Sequence, residues 1–85
     1  MYQNGGLIMN IAKLVEMLPD TVKHNTVDFQ SVKMKDGKTG TRVILDRVLT
    51  DTEKQQMTSK HFRGLDCIAQ HRYAPEIKRS YFYVV

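Results

Sequence analysis

The sequence predicts a single α+β domain with the element order α-β-β-α-β, in which two helices cover one face of a three-stranded sheet. Three observations predict this class. Apolar residues recur at helical spacing over residues 11–18, and two β-rich segments flank an Asp36-Gly37 turn. A capping-box sequence at Thr50–Glu53 then opens a second amphipathic segment, which precedes a C-terminal strand over residues 77–85.

Size and composition limit the possible organisation. With 85 residues, of which 41% are hydrophobic, the chain is long enough for one core, so we expect one domain over residues 10–85 after a flexible lead-in of residues 1–9. The single cysteine, Cys67, excludes an internal disulfide and favours a reducing, cytoplasmic location. No apolar run approaches the roughly 18 residues of a membrane span, so no membrane partner is expected.

The first helix is predicted to begin after Asn10, a typical N-cap residue, and to end before Pro19, which disfavours helical geometry in the residue before it. Residues 20–25 are predicted to be a polar link. The apolar side of the helix consists of Ile11, Leu14, Val15 and Leu18.

A hairpin is predicted from segments 26–35 and 41–49. A three-residue loop with Gly37 at positive φ pairs Phe29 with Val43 and Val27 with Leu45. A two-residue turn would instead place Val27 opposite a carboxylate, so we prefer the first register. The side chains expected to share the buried face of the hairpin are Val27, Phe29, Val43 and Leu45.

The second helix is predicted to run from Thr50 to the residues before Pro75, with Gly64 as a weak point. The C-terminal strand that follows this helix could lie beside either hairpin strand, so the strand order stays open. The predicted apolar side of this helix consists of Met57, His61, Phe62, Leu65, Ile68, Ala69 and Tyr73.

Side chains that carry catalysis or hold metals are sparse. Cys67 and His71 lie one helical turn apart on the predicted helix, which supplies too few ligands for a metal site and does not place a substrate between nucleophile and base. His61 is expected to be a boundary histidine with a hydrogen-bond partner. We therefore expect no enzymatic activity, no cofactor and no metal.

Basic residues are the more informative set, because 13 Lys and Arg against 9 Asp and Glu give a net charge of +4. If Phe82 and Val84 face the helices, Tyr81 and Tyr83 lie on the uncovered face of the sheet and form a stacking platform near Arg42. If the tyrosines face inward, there is no platform. The candidate binding residues are Lys33, Lys35, Lys38 and Arg42 around the hairpin tip, Lys60, Arg63 and Arg72 along the second helix, and Arg79, Tyr81 and Tyr83 on the last strand.

Two functions remain open at this point. The first is a nucleic-acid-associated binding module, which the net charge favours. The second is a protein-interaction module that regulates or inhibits a larger nucleic-acid-processing machine, as small phage or mobile-element proteins of the anti-CRISPR type do. The uncovered face is predicted to keep apolar side chains as well, so a homodimer through it is a further possibility. These side chains are Val32, Met34, Ile44 and Val48.

Overall fold

The C-terminal strand lies at the centre of the sheet. The structure is a computed structural model that describes residues 11–70 and 72–85. The predicted lead-in and the N-cap at Asn10 lie outside these residues. The helices are α1 (Ile11–Met17), α2 (Asp20–Asn25) and α3 (Asp51–Gln56), and the strands are β1 (Thr26–Lys33), β2 (Thr39–Leu45), β3 (Phe62–Arg63), β4 (Ile68–Gln70) and β5 (Lys78–Val84).

All strand pairs are antiparallel. β1 pairs with β2, and β2 pairs with β5, which settles the strand order that the sequence left open. β3 and β4 pair with different parts of β5 and together form an interrupted edge along it. The α+β class is confirmed, but the sheet has five strands in the described residues and not three, and there are three short helices and not two.

The core lies between the helices and one face of the sheet. Each of its members exposes 4% of its surface or less. Among the described residues, no layer covers the other face of the sheet. The core side chains are Leu14, Leu18, Val22, Leu49 and Met57 from the helices and loops, with Val43, Leu45, Phe82 and Val84 from the sheet.

The hairpin has the preferred register over most of its length. Phe29 pairs with Val43, Gly37 has a φ of +85°, and the Met34 N–H donates to the Lys38 carbonyl at 2.7 Å. The predicted pairing of Val27 with Leu45 is wrong. The register shifts at Val27, which is 53% exposed, so that Thr26 and not Val27 pairs with Leu45. The strand starts at Thr26, directly after the last residue of α2. The chain therefore changes direction within the first residues of the strand, and the irregularity at Val27 lies at this point.

The predicted polar link over residues 20–25 is also wrong, because these residues form α2. The Pro19 carbonyl accepts hydrogen bonds from the N–H groups of Val22 and Lys23, at 3.0 and 2.9 Å. Val22 is fully buried in the core. A helix of six residues with one buried side chain has too little periodicity to be recognised from sequence.

The second predicted helix begins correctly but ends early. The Thr50–Glu53 capping box is present at the start of α3, whose last residue is Gln56. Residues that were expected to continue the helix instead form β3 and β4. The free edge of β5 explains the difference, since its N–H and C=O groups need partners. On the predicted apolar side, Met57 is buried, whereas Ile68 and Tyr73 are 48% and 83% exposed.

No helix in the described part of the chain is long and apolar enough to span a membrane.

Candidate binding surface on the uncovered face of the sheet

The side chains of β5 alternate between the core and the opposite face of the sheet. Phe82 and Val84 are buried in the core, so Tyr81 and Tyr83 lie on the face away from the helices. This is the alternative that permits a platform. We call this surface the open face; its residues are Asp28, Gln30, Val32, Gly40, Arg42, Ile44, Arg63, Ala69, Arg79, Tyr81 and Tyr83.

One row of side chains crosses the open face at right angles to the strands. Strand pairing places Gln30 opposite Arg42, Arg42 opposite Tyr83, and Tyr83 opposite Arg63. The Arg42 Nη1 donates to Gln30 Oε1 at 3.2 Å, and the Arg42 guanidinium carbon lies 5.5 Å from the centre of the Tyr83 ring, a cation–π distance. The row therefore presents an aromatic ring between two guanidinium groups.

Tyr81 lies beside this row. Its ring is perpendicular to that of Tyr83, with 6.1 Å between the two ring centres. Electrostatic interaction and hydrogen bonding with the neighbouring Cys67 side chain raise the pKa of Tyr81 above its usual value. The Tyr81 phenol therefore stays neutral at physiological pH and keeps its hydroxyl proton.

Gly64 allows the backbone between β3 and β4 to lie against the tyrosines. Its φ of +74° is in the left-handed region. A Cβ atom at this position would lie 3.2 Å from Cys67 Sγ and 3.3 Å from Tyr83 Cδ2. The absence of a side chain at residue 64 thus permits the observed position of the Tyr83 ring.

Two grooves flank the pair formed by Arg42 and Tyr83. The first, the Arg79 groove, has a volume of about 480 Å³ and is lined by no carboxylate. The apolar side chains of Ile44 and Ala69 contribute to its walls. Its remaining lining residues are Arg42, Gln70, Arg72, Arg79, Ser80, Tyr81 and Tyr83.

The second groove, the hairpin groove, has a volume of about 400 Å³ and lies next to the β1–β2 loop. It shares Arg42 and Tyr83 with the Arg79 groove. Asp36 is the one carboxylate in its lining, and one oxygen of that carboxylate accepts the Lys38 N–H at 2.9 Å. The other lining residues are Val32, Lys33, Met34, Lys35 and Arg63.

The guanidinium groups of the open face are not engaged by carboxylates. Within residues 11–70 and 72–85, the ion pairs join Lys23 to Asp20, Arg47 to Glu53 and Lys54 to Asp66, all away from this face. The Nε atoms of Arg42 and Arg79 are buried and have no hydrogen-bond acceptor among the described residues. The donors that an anionic ligand could reach are therefore the Nη groups of these arginines, which no carboxylate of the described residues engages.

Most of the predicted site residues converge on this face. Lys33, Lys35, Arg42, Arg63, Arg72, Arg79, Tyr81 and Tyr83 line one or both grooves. Lys38 and Lys60 line neither and are exposed elsewhere. The predicted helical patch of Lys60, Arg63 and Arg72 is wrong, because Arg63 lies in a strand and the other two lie outside helices.

Ala69 and Gln70 are groove residues that the sequence reasoning missed. It placed them on the second helix, whereas they lie in β4 opposite Arg79 and Lys78. A strand of three residues carries no alternation long enough to reveal which side chains share a face with the tyrosines.

A larger cavity of about 790 Å³ lies between the helices, and the Arg47 and Glu53 side chains in its lining are paired with each other. Arg47 donates to both carboxylate oxygens of Glu53, at 2.8 and 2.7 Å, and the same carboxylate accepts from the Thr50 N–H and the Thr21 hydroxyl. The hydrogen bonds from Arg47 hold the pKa of Glu53 well below its usual value. This network stabilises the fold and does not leave a free reactive group.

Potential metal ligands do not cluster in the described residues, where no group of three His, Cys, Asp or Glu side chains is found. His71, which the sequence paired with Cys67, lies outside them. His61 is a partly buried histidine whose Nδ1 is 2.9 Å from the Val85 carbonyl oxygen, which confirms the expected boundary position with a partner.

No family model, curated protein or solved structure matches this chain. Its function is therefore inferred from the chemistry of the open face.

Proposed function

We propose that this protein is a non-enzymatic module that binds nucleic acid through the open face of its sheet. The observation that carries the proposal is the row of Arg42, Tyr83 and Arg63, with two grooves beside it. Arginine donors suit phosphate oxygens, and tyrosine rings and guanidinium planes suit the faces of bases. A net charge of +4 adds long-range attraction to a polyanion.

The number of phosphates that contact Lys and Arg side chains decides how strongly the binding should depend on salt. Each contact between a phosphate and a Lys or Arg side chain releases condensed counterions. Every such contact therefore makes the affinity fall more steeply as the salt concentration rises. We expect a dissociation constant on the order of 1–100 μM at physiological salt, and tighter binding at low salt.

A protein partner is the second candidate, favoured by the half-buried apolar side chains of Val32, Met34 and Ile44 on and beside the open face. Such a partner would be acidic, because the arginines surround these side chains. On this alternative the protein would regulate or inhibit a larger nucleic-acid-processing machine.

Fluorescence polarisation with labelled single- and double-stranded oligonucleotides, at low and physiological salt, tests the first candidate. Binding that weakens linearly with the logarithm of the salt concentration would support it. No binding to either oligonucleotide at low salt would remove it and leave the acidic protein partner.

The chain offers a matched pair of charge reversals for this experiment. Arg63→Glu changes a cation of the hairpin groove, and Lys60→Glu makes the same change in net charge at an exposed residue that lines neither groove. We expect Arg63→Glu to reduce the salt dependence by about one phosphate contact and Lys60→Glu to have a smaller effect. Equal effects would indicate attraction by net charge without a defined site.

A further inference from the structure

The two grooves on the open face have the same combination of surfaces. In the Arg79 groove, Ile44 and Ala69 are apolar, and Arg72 and Arg79 are cationic. In the hairpin groove, the apolar groups belong to Val32 and Met34. Its cations are Lys33, Lys35, Arg42 and Arg63. Each groove therefore offers an apolar surface next to cations, which is the pattern needed for a base attached to its phosphate.

This pattern of apolar and cationic surfaces favours a single-stranded ligand over a duplex. A duplex presents phosphates on its outside and keeps its bases stacked and paired, so it would satisfy the cations and leave the apolar surfaces against water. A single strand can turn its bases towards a protein surface. The groove volumes of about 480 and 400 Å³ lie in the size range of small-molecule sites, which is the scale of one nucleotide.

We infer that the open face binds single-stranded nucleic acid, with a base in each groove and the strand crossing over the pair formed by Arg42 and Tyr83. This inference rests on the proposed nucleic-acid function. The shared position of Arg42 and Tyr83 in both grooves makes them the bridge between the two bases. The Arg42 guanidinium lies over the Tyr83 ring, 5.5 Å from its centre, so the two groups are held together as one cation–π pair between the grooves.

A comparison of three probes of equal length, about eight nucleotides, separates the inference from the proposed function. The probes are a single-stranded DNA, its duplex, and a single strand in which abasic sites replace the bases and all phosphates are kept. Fluorescence polarisation measures their affinities at one salt concentration. We expect the intact single strand to bind at least about tenfold more tightly than the duplex or the abasic strand.

Each outcome has a defined consequence. Equal affinities for the three probes would overturn the inference and leave the proposed function in place, because phosphates alone would then account for binding. No binding to any probe at low salt would overturn both.

A pair of protein variants tests the Arg79 groove separately from the hairpin groove. Ile44→Ser removes an apolar surface from the groove, and Val27→Ser makes a similar change at an exposed site outside both grooves. We expect Ile44→Ser to weaken single-strand binding several-fold and to leave abasic-strand binding unchanged, and Val27→Ser to change neither. Equal losses for both probes in Ile44→Ser would contradict base insertion, and a thermal melt of each variant establishes that it is folded.

Discussion

At the scale of single residues, Arg42 connects several parts of the candidate site. It contacts Gln30 and Tyr83, lines both grooves, and has a buried Nε without an acceptor among the described residues. The alternation of residues 81–84 predicted that the two tyrosines share one face of the sheet, but it left open whether that is the face that carries Arg42. It could not predict that Tyr83 lies directly opposite Arg42, because that depends on which strand β5 joins and in which register.

Substitution of Tyr83 tests the stacking role at this scale. Tyr83→Phe keeps the aromatic ring, whereas Tyr83→Leu keeps an apolar side chain and removes the ring. We expect Tyr83→Leu to weaken oligonucleotide binding by about 1–3 kcal/mol, roughly 5- to 150-fold. We expect Tyr83→Phe to retain most of the affinity. Polarisation titrations measure the difference. Equal losses in Phe and Leu would contradict stacking and indicate that the hydroxyl group matters instead.

Glu53 provides a prediction about stability that is independent of binding. Arg47, Thr21 and Thr50 stabilise its charged form, so Glu53→Gln should lower the free energy of unfolding at neutral pH by about 2 kcal/mol. Urea unfolding of both proteins at a series of pH values measures this difference.

The pH dependence of that difference follows from the lowered pKa of Glu53. Below the ordinary value of 4.5, acid protonates the residue in the unfolded chain before it does so in the folded protein. The contribution of Glu53 is therefore fully present above pH 4.5 and is lost as the pH falls towards the lower pKa of the folded state. A difference between wild type and Glu53→Gln that stays constant through this acid range would be inconsistent with the ion pair.

At the scale of elements, the start of α3 was predicted correctly and its end was not. The Thr50–Glu53 capping box is a local pattern of four residues, and α3 begins where it predicts. The end of α3 depends on the free edge of β5, which lies far away in the chain and attracts residues 62–63 and 68–70 as strands. For the same reason Arg63 and Arg72 were expected on a helix, whereas Arg63 lies in β3 and Arg72 lies outside the helices.

Gly64 and Gly37 form a matched pair for testing the interrupted edge. Both have positive φ, so an alanine at either position costs about 1–2 kcal/mol of stability. A Cβ at Gly37 meets nothing within 4 Å, whereas a Cβ at Gly64 crowds Cys67 and Tyr83. We expect Gly64→Ala to destabilise the protein more than Gly37→Ala in thermal unfolding.

The same pair predicts a difference in binding. Because the added methyl group displaces the Tyr83 ring, Gly64→Ala should also weaken oligonucleotide binding, and Gly37→Ala should not. A Gly64→Ala protein with unchanged affinity would show that the position of Tyr83 against the backbone does not matter for the ligand.

At the scale of the whole molecule, the two faces of the sheet differ, because the core lies on one of them only. One face is covered by α1, α2 and α3 through the buried core, and the other carries the arginines and tyrosines. Short-range patterns predicted that one face is covered and the other is not, but they left open which of the two faces carries the tyrosines. The bulge at Val27 and the short helix α2 were not predictable, since they are set by how neighbouring elements meet.

The charge of the open face also bears on self-association. Two copies docked through this face would bring Arg42, Arg63 and Arg79 of each copy near those of the other, and like charges oppose such a contact. We expect sedimentation velocity to show a monomer at physiological salt. A dimer that Arg63→Glu strengthens and Lys60→Glu does not would instead support association through this face.

The central claim is that anionic ligands engage the arginines of the open face, and the Nε–H signals of the arginines in a ¹⁵N NMR spectrum test it most directly. Arg42 and Arg79 have Nε atoms without acceptors among the described residues, whereas Arg47 is held by Glu53. On addition of a single-stranded oligonucleotide, we expect the Arg42 and Arg79 signals to shift and the Arg47 signal to stay in place. Shifts of Arg47 with unchanged Arg42 and Arg79 signals, or no shift of any arginine at low salt, would contradict the account.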